Sequence, residues 1–257
     1  MEVGADPSAE ATELAGLLRT AESAVALTGA GISVPSGIPD FRTPGEGLWE
    51  KVDPFEVATI EAFRSDPKRF WEFYRPRFAT LGGKEPNPAH QALVELERRD
   101  LLAGVITQNI DRLHAKAGTK RLIEVHGSIA TLSCLGCGTS WALDEVESLF
   151  NEDGIATCTE CLGPVKPDVV LFGEMLPEEA MAEAQELAMG ADLMLCIGSS
   201  LEVHPVAGLP ELTLARGGKL AIISKGSTPY DSAATIRMNG DVVEDLEAVL
   251  GALTISE

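Results

Sequence analysis

Six short apolar runs recur along the chain, and each leads into glycine or polar residues. They are AVALT (24–28), LLAGVITQN (101–109), LIEVHG (122–127), DVVLFGE (168–174), DLMLCIGSS (192–200) and KLAIISK (219–225). Runs of this length with few charges read as strands buried on both faces. Between them lie segments of helical periodicity: 8–21, 55–80 with Phe63, Phe70, Trp71, Phe73 and Tyr74, 87–100, 110–118 and 178–189. Pro88 suits the first turn of its helix, and Gly118 closes another. The alternation predicts an α/β fold with a mostly parallel sheet covered on both faces. In such sheets ligands bind beyond the carboxyl ends of the strands. The polar residues expected on that rim are Gly29 to Arg42, Gln108 to Asp111, His126, Gly198 to Ser200, and Ser224 with Lys225.

With 257 residues, 45% of them hydrophobic, the chain can form one large domain or one domain with an insertion. No run approaches the ~20 apolar residues of a membrane helix. The start, MEVGADPSAEATE, lacks the basic and apolar regions of a secretory signal, so a cytoplasmic location is expected. Net charge is −20, from 40 acids against 20 bases. That balance argues against nucleic acid and anionic membranes as partners. It suits a lysine-rich protein partner at low salt. It equally suits a surface adapted to concentrated salt, because the acids are spread along the whole chain.

Cys134, Cys137, Cys158 and Cys161 form two C-x2-C pairs separated by twenty residues, a zinc-ribbon spacing. Four thiolates match the tetrahedron zinc prefers and leave no open position, so one structural zinc ion is expected. Disulfides would be kept reduced in a cytoplasmic chain. Cys196, inside the apolar run LMLCIG, reads as a core thiol.

The stretch GAGISVPSGIPDFR (29–42) follows the first strand directly. Gly29 and Gly31 flank Ala30 at a turn where bare backbone can bring N–H groups to a pyrophosphate. Val34 takes the place of the third glycine of G-x-G-x-x-G, so a plain tight turn fits as well. Of His90, His114, His126 and His204, only His126 ends an apolar strand and precedes a glycine. Its ring can therefore sit over the rim with a near-neutral pKa, as a general base requires, or be satisfied by backbone. Asp111 can cap the helix that follows it or face a ligand.

These motifs, with TQNIDRLH, EVHG, KPDVVLFGE and GSSLEVHP, resemble the sirtuins, the NAD-dependent protein lysine deacylases; the likeness runs from about residue 24 to 231. It implies a Rossmann-like domain (1–42, 86–129 and 166–257) carrying a smaller inserted helical and zinc-binding domain (43–85 and 130–165). The implied reaction moves the acyl group of a modified lysine onto ADP-ribose and releases nicotinamide. His126 would be the base, with Asn109 beside it. Ala30, Ile38 and Asp40 would hold the nicotinamide, Phe41 would cover the sugar, and Arg42 would lie near the phosphates. Gln108, Asn109, Ile110 and Asp111 would meet ribose and nicotinamide, and Gly29, Gly31, Gly198, Ser199 and Ser200 the phosphates.

At the adenine end sirtuins usually carry an asparagine, where this chain has Ser224 and Lys225. Val170, Phe172, Gly173, Glu174 and Val203 would flank the acylated protein substrate as an added strand. Tyr74 and Arg77 match the Y-x-x-R of the subclass that removes succinyl and malonyl groups, with Pro76 between them as a possible kink. Acetyl could also be removed. Mono-ADP-ribosyl transfer on the same NAD site is the alternative activity. The oligomeric state is not legible.

Overall fold

The computed structural model describes residues 8–40 and 52–255. Phe41 and Arg42 lie outside the described residues.

Six strands form one sheet, parallel throughout: β1 (Ala24–Thr28), β2 (Val105–Thr107), β3 (Leu122–Glu124) and, after three strands placed elsewhere, β7 (Leu193–Ile197), β8 (Lys219–Ile223) and β9 (Ile236–Met238). Their spatial order is β3-β2-β1-β7-β8-β9. The chain thus builds outward from β1 in one direction, then returns and builds in the other. The order reverses between β1 and β7, the switch point at which dinucleotide folds place their ligand.

Strand residues alternate between two cores, as a two-sided sheet demands. Ala24, Ala26, Val105, Leu195 and Ile223 face α1 (Ala9–Thr20), α5 (Pro88–Arg98) and α9 (Val242–Ile255). Val25, Leu27, Ile106, Met194 and Cys196 face α7 (Glu178–Gly190) and α8 (Leu209–Ala215). Ser8 caps α1, and Asn87 caps α5 with Pro88 in its first turn. Cys196 is a core thiol as expected, and burial pushes its pKa up to about 12.

A second sheet of three strands, ordered β5-β4-β6, comprises β4 (Gly127–Cys134), β5 (Ser140–Ala142) and β6 (Val165–Val169). It shares a third core with α3 (Ile60–Ser65) and α4 (Pro67–Gly82), which follow the short α2 (Pro54–Val57); that core is built on Phe63, Phe70, Trp71, Phe78, Ile129, Leu132 and Val165. Two sequence expectations change here. The run 168–174 does not extend the parallel sheet; it continues from β6, which pairs antiparallel with β4. Pro167 has no N–H to donate, and an edge strand tolerates that. The helical stretch 55–80 is three helices, because Thr59 and Asp66 each accept a backbone N–H and start a new one. α4 then runs unbroken through Pro76.

Candidate active site

The loops after β1 and β7 touch backbone to backbone at the crevice. Gly29 donates its N–H to the Ile197 carbonyl at 3.0 Å, and Gly31 donates to the Gly198 carbonyl at 2.8 Å. A Cβ on Gly31 would lie 2.7 Å from the Gly198 Cα, and one on Gly198, at φ +61°, would lie 2.4 Å from the Ile32 nitrogen. The glycines are therefore needed for loop against loop, and these two N–H groups are spent inside the protein. That corrects the expectation that they point at a phosphate. A 3-10 turn over Ala30–Ser36 carries the chain on toward the half-buried Ile38 and Asp40.

Beyond β2, Gln108 donates from Nε2 to Ser199 Oγ at 2.9 Å, tying the second loop to the β7 loop. Asn109 is buried; its Nδ2 donates to the Gly29 carbonyl at 3.1 Å and to Ser33 Oγ at 3.2 Å. Ser33 Oγ in turn donates to Asp111 Oδ2 at 2.6 Å, while Asp111 Oδ1 accepts the Leu113 N–H at 2.9 Å. Asp111, one residue before the N-cap Arg112, thus holds the first N–H of α6 (Leu113–Ala117) and serves as a strut beneath the site at once. Ser33, Thr28 and Thr107 are buried polar residues that sequence patterns did not single out. Thr28 Oγ1 donates to Thr107 Oγ1 at 2.8 Å, and Thr107 Oγ1 accepts the Asn109 N–H at 3.1 Å.

His126 follows β3 and is half-buried. Its Nδ1 lies 3.0 Å from the Gln108 carbonyl. A carbonyl can only accept, so Nδ1 carries the proton and Nε2 keeps its lone pair. Burial lowers the pKa below the usual 6.5, and the bond to Gln108 opposes that only in part. A neutral imidazole with its basic nitrogen fixed is what a general base needs.

The other two core histidines serve the scaffold. His114 Nε2 bonds Thr28 Oγ1 at 2.9 Å, and its ring meets that of His90 edge-on at 4.8 Å. Burial holds His90 at about 4 and His114 at about 3. Unfolding returns both toward 6.5, so the unfolded chain binds more protons below that pH. Their stabilisation is complete above pH 6.5 and lost as pH falls toward 4 and 3. At about 1.4 kcal/mol per pKa unit, the urea midpoint should drop steeply over that window. His90→Leu should flatten part of this slope; an unchanged slope would contradict the assignment.

The segment after β6 borders His126, since Val170 donates its N–H to the His126 carbonyl at 2.8 Å. Phe172 and Gly173 are exposed, and Glu174 and Val203 are half-buried. Tyr74 lies on α4 among Phe70, Phe73 and Phe78, and burial raises its pKa to about 12. Arg77 folds back over the Phe73 ring, 3.6 Å from its centroid, and donates to the Phe73 carbonyl. At the far end Lys225 pairs with Asp241 at 3.1 Å, and Ser224 bonds β9 through its backbone.

The four sulfurs of Cys134, Cys137, Cys158 and Cys161 all lie within 4.8 Å of one another. The Cys134–Cys161 and Cys137–Cys158 pairs are 3.4 and 3.5 Å apart. A disulfide needs ~2.05 Å. Corners of a zinc–sulfur tetrahedron with bonds of ~2.3 Å stand ~3.8 Å apart. The donor set fits zinc.

Residues 29–205 match the Sir2 family. An NAD-dependent protein deacetylase of Sulfurisphaera tokodaii is 46% identical over 94% of this chain and 95% of its own. An NAD-dependent protein deacylase of Archaeoglobus fulgidus is 43% identical, with 94% and 95% covered. A solved Sir2 complex with a p53 peptide and NAD+ superposes with a TM-score of 0.87 at 40% identity, over 95% of this chain and 98% of that one. A parallel sheet whose order reverses between β1 and β7, an imidazole fixed beyond β3 and a four-cysteine cluster on the small sheet and its turns agree with these likenesses: the chain belongs to the Sir2 family.

Proposed function

We propose that this chain uses NAD to remove acyl groups from protein lysines, passing the acyl group to ADP-ribose and releasing nicotinamide. The observation that carries this reading is the His126 ring, held by the Gln108 carbonyl so that Nε2 is the free base at the rim. Nε2 takes the proton of a ribose hydroxyl, which makes that oxygen nucleophilic. Asn109, anchored to Gly29 and Ser33, keeps its own carbonyl oxygen for the ribose side. Ala30, Ile38 and Asp40 border the nicotinamide end, and Ser199 with Ser200 the phosphates. Ser224 and Lys225 stand toward the adenine end, where Lys225 would exchange Asp241 for a phosphate.

Deacetylation, or deacylation more broadly, is the activity named for the relatives. Succinyl and malonyl groups are our finer proposal, supported by Tyr74 and Arg77 one helical turn apart on an unbroken α4. Arg77 would leave the Phe73 carbonyl and take the acyl carboxylate in two parallel bonds, with the Tyr74 phenol as a third donor. Arg77→Met should weaken succinyl-lysine turnover by ~10-fold or more, a charge-assisted bidentate contact, and change acetyl-lysine turnover little. Equal losses on both peptides would remove Tyr74 and Arg77 from acyl recognition. Nicotinamide release should also require an acylated peptide; release indifferent to acylation would contradict the whole reading.

A further inference from the structure

Among the described residues, the segment Val170 to Glu174 has few backbone groups left to offer an incoming strand. Val170 N–H goes to the His126 carbonyl, Phe172 N–H to the Ala58 carbonyl at 2.9 Å, and Glu174 N–H to the Leu171 carbonyl at 3.0 Å. The Phe172 carbonyl accepts the Ile60 N–H at 3.1 Å, and Leu171 N–H goes to Glu174 Oε2 at 2.8 Å. Gly173, at φ +88°, bonds through neither its N–H nor its carbonyl among the described residues. If a substrate strand is added here, Gly173 is the residue that can both donate and accept, with the Val170 carbonyl as a further acceptor.

The turn at Gly173 is braced by an ion pair between Lys166, which is buried, and the half-buried Glu174, the two ends of KPDVVLFGE. Lys166 is 7% exposed, on β6. Its Nζ donates to the Val169 carbonyl at 2.6 Å and the Pro167 carbonyl at 2.9 Å, and lies 3.1 Å from Glu174 Oε2. The same Glu174 oxygen holds Leu171 N–H, so one ammonium joins the end of β6 to the turn that presents Gly173. Val169 precedes Val170, whose N–H holds the His126 backbone. The strut therefore braces the substrate edge and the base together. A buried charge missing its partner is costly, so the two residues stand or fall as a unit.

We infer that Lys166 and Glu174 are positioning residues that set Gly173 for main-chain pairing with the acyl-lysine substrate. The inference rests on the reading that a peptide binds along this edge. Glu174→Gln keeps an oxygen for Leu171 N–H and removes the charge. It should raise KM for an acetyl-lysine peptide on the order of tenfold while KM for NAD stays within about twofold, as expected of a displaced docking group. Lys166→Met should do the same, and Lys166→Met/Glu174→Gln should be no worse than the more severe single variant. If Lys166→Met does not fold, Glu174→Gln decides alone. A lower melting temperature with both KM values unchanged would reduce the pair to a structural role and overturn the inference.

Peptides N-methylated one position at a time beside the lysine separate the two claims. If wild-type enzyme loses affinity for one of them but Glu174→Gln leaves KM alone, the strut fails and the edge reading stands. If every methylated peptide binds normally, the edge reading fails and takes the strut with it.

Discussion

His126→Ala should lower peptide-dependent nicotinamide release by ~10²–10⁴-fold, the range for a lost general base. The wild-type ring is held by one bond, Nδ1–H to the Gln108 carbonyl, and that bond leaves only Nε2 for chemistry. Alanine removes the base but not the scaffold. The His126 carbonyl still accepts from Val170, and Gln108 still reaches Ser199. The variant should therefore melt near wild type and bind zinc at the four cysteines as wild type does. Because burial lowers the His126 pKa, the acid limb of kcat/KM should fall below pH 6.5. Turnover within tenfold of wild type, or an acid limb well above that pH, would remove His126 from the role.

Stripping zinc should produce the other large effect. Structural zinc in comparable peptides binds with ~10–16 kcal/mol apparent free energy, and that energy is folding energy. Here the cysteine turns are built around sulfur. Gly136 and Glu160 donate N–H groups to Cys134 and Cys158, each at 3.3 Å. A Cβ at Gly163 would stand 3.1 Å from the Cys134 sulfur. Without metal, four thiols must share a space shaped for thiolates, and β4, β5 and β6 should lose hydrogen-exchange protection. The six-stranded sheet has its own two cores and should keep its protection. Since β4 starts directly after His126, activity should fall with the small sheet. Metal-free protein that is folded there and fully active would contradict the structural role.

Five of the six strands of the parallel sheet were legible because they are apolar runs, while β9, three residues with Arg237 at its centre, was not; the cysteine cluster was legible because four ligands in two tight turns leave a fixed spacing. His126 was legible as the only histidine ending a strand before a glycine. Other features depend on partners far apart in sequence. Thr28 with Thr107, Asn109 with Ser33, and Asn109 with Gly29 are 79, 76 and 80 residues apart, and no local pattern links them. The same distance hid the role of Gly31 and Gly198, whose missing side chains let two loops meet. Lys166 and Glu174 both stand in KPDVVLFGE, but only the fold brings the Glu174 carboxylate back to the ammonium. The helical stretch 55–80 is divided for a local reason: Thr59 and Asp66 each cap a new helix, and the aromatic pattern runs on across both.

Mass spectrometry of the products formed from NAD and matched acetylated and succinylated peptides tests the central claim most directly. The account predicts unmodified lysine, one nicotinamide per turnover, and the mass of the acyl group recovered on ADP-ribose. Free acid with NAD intact, or ADP-ribose carried by the protein while the peptide stays acylated, would contradict it.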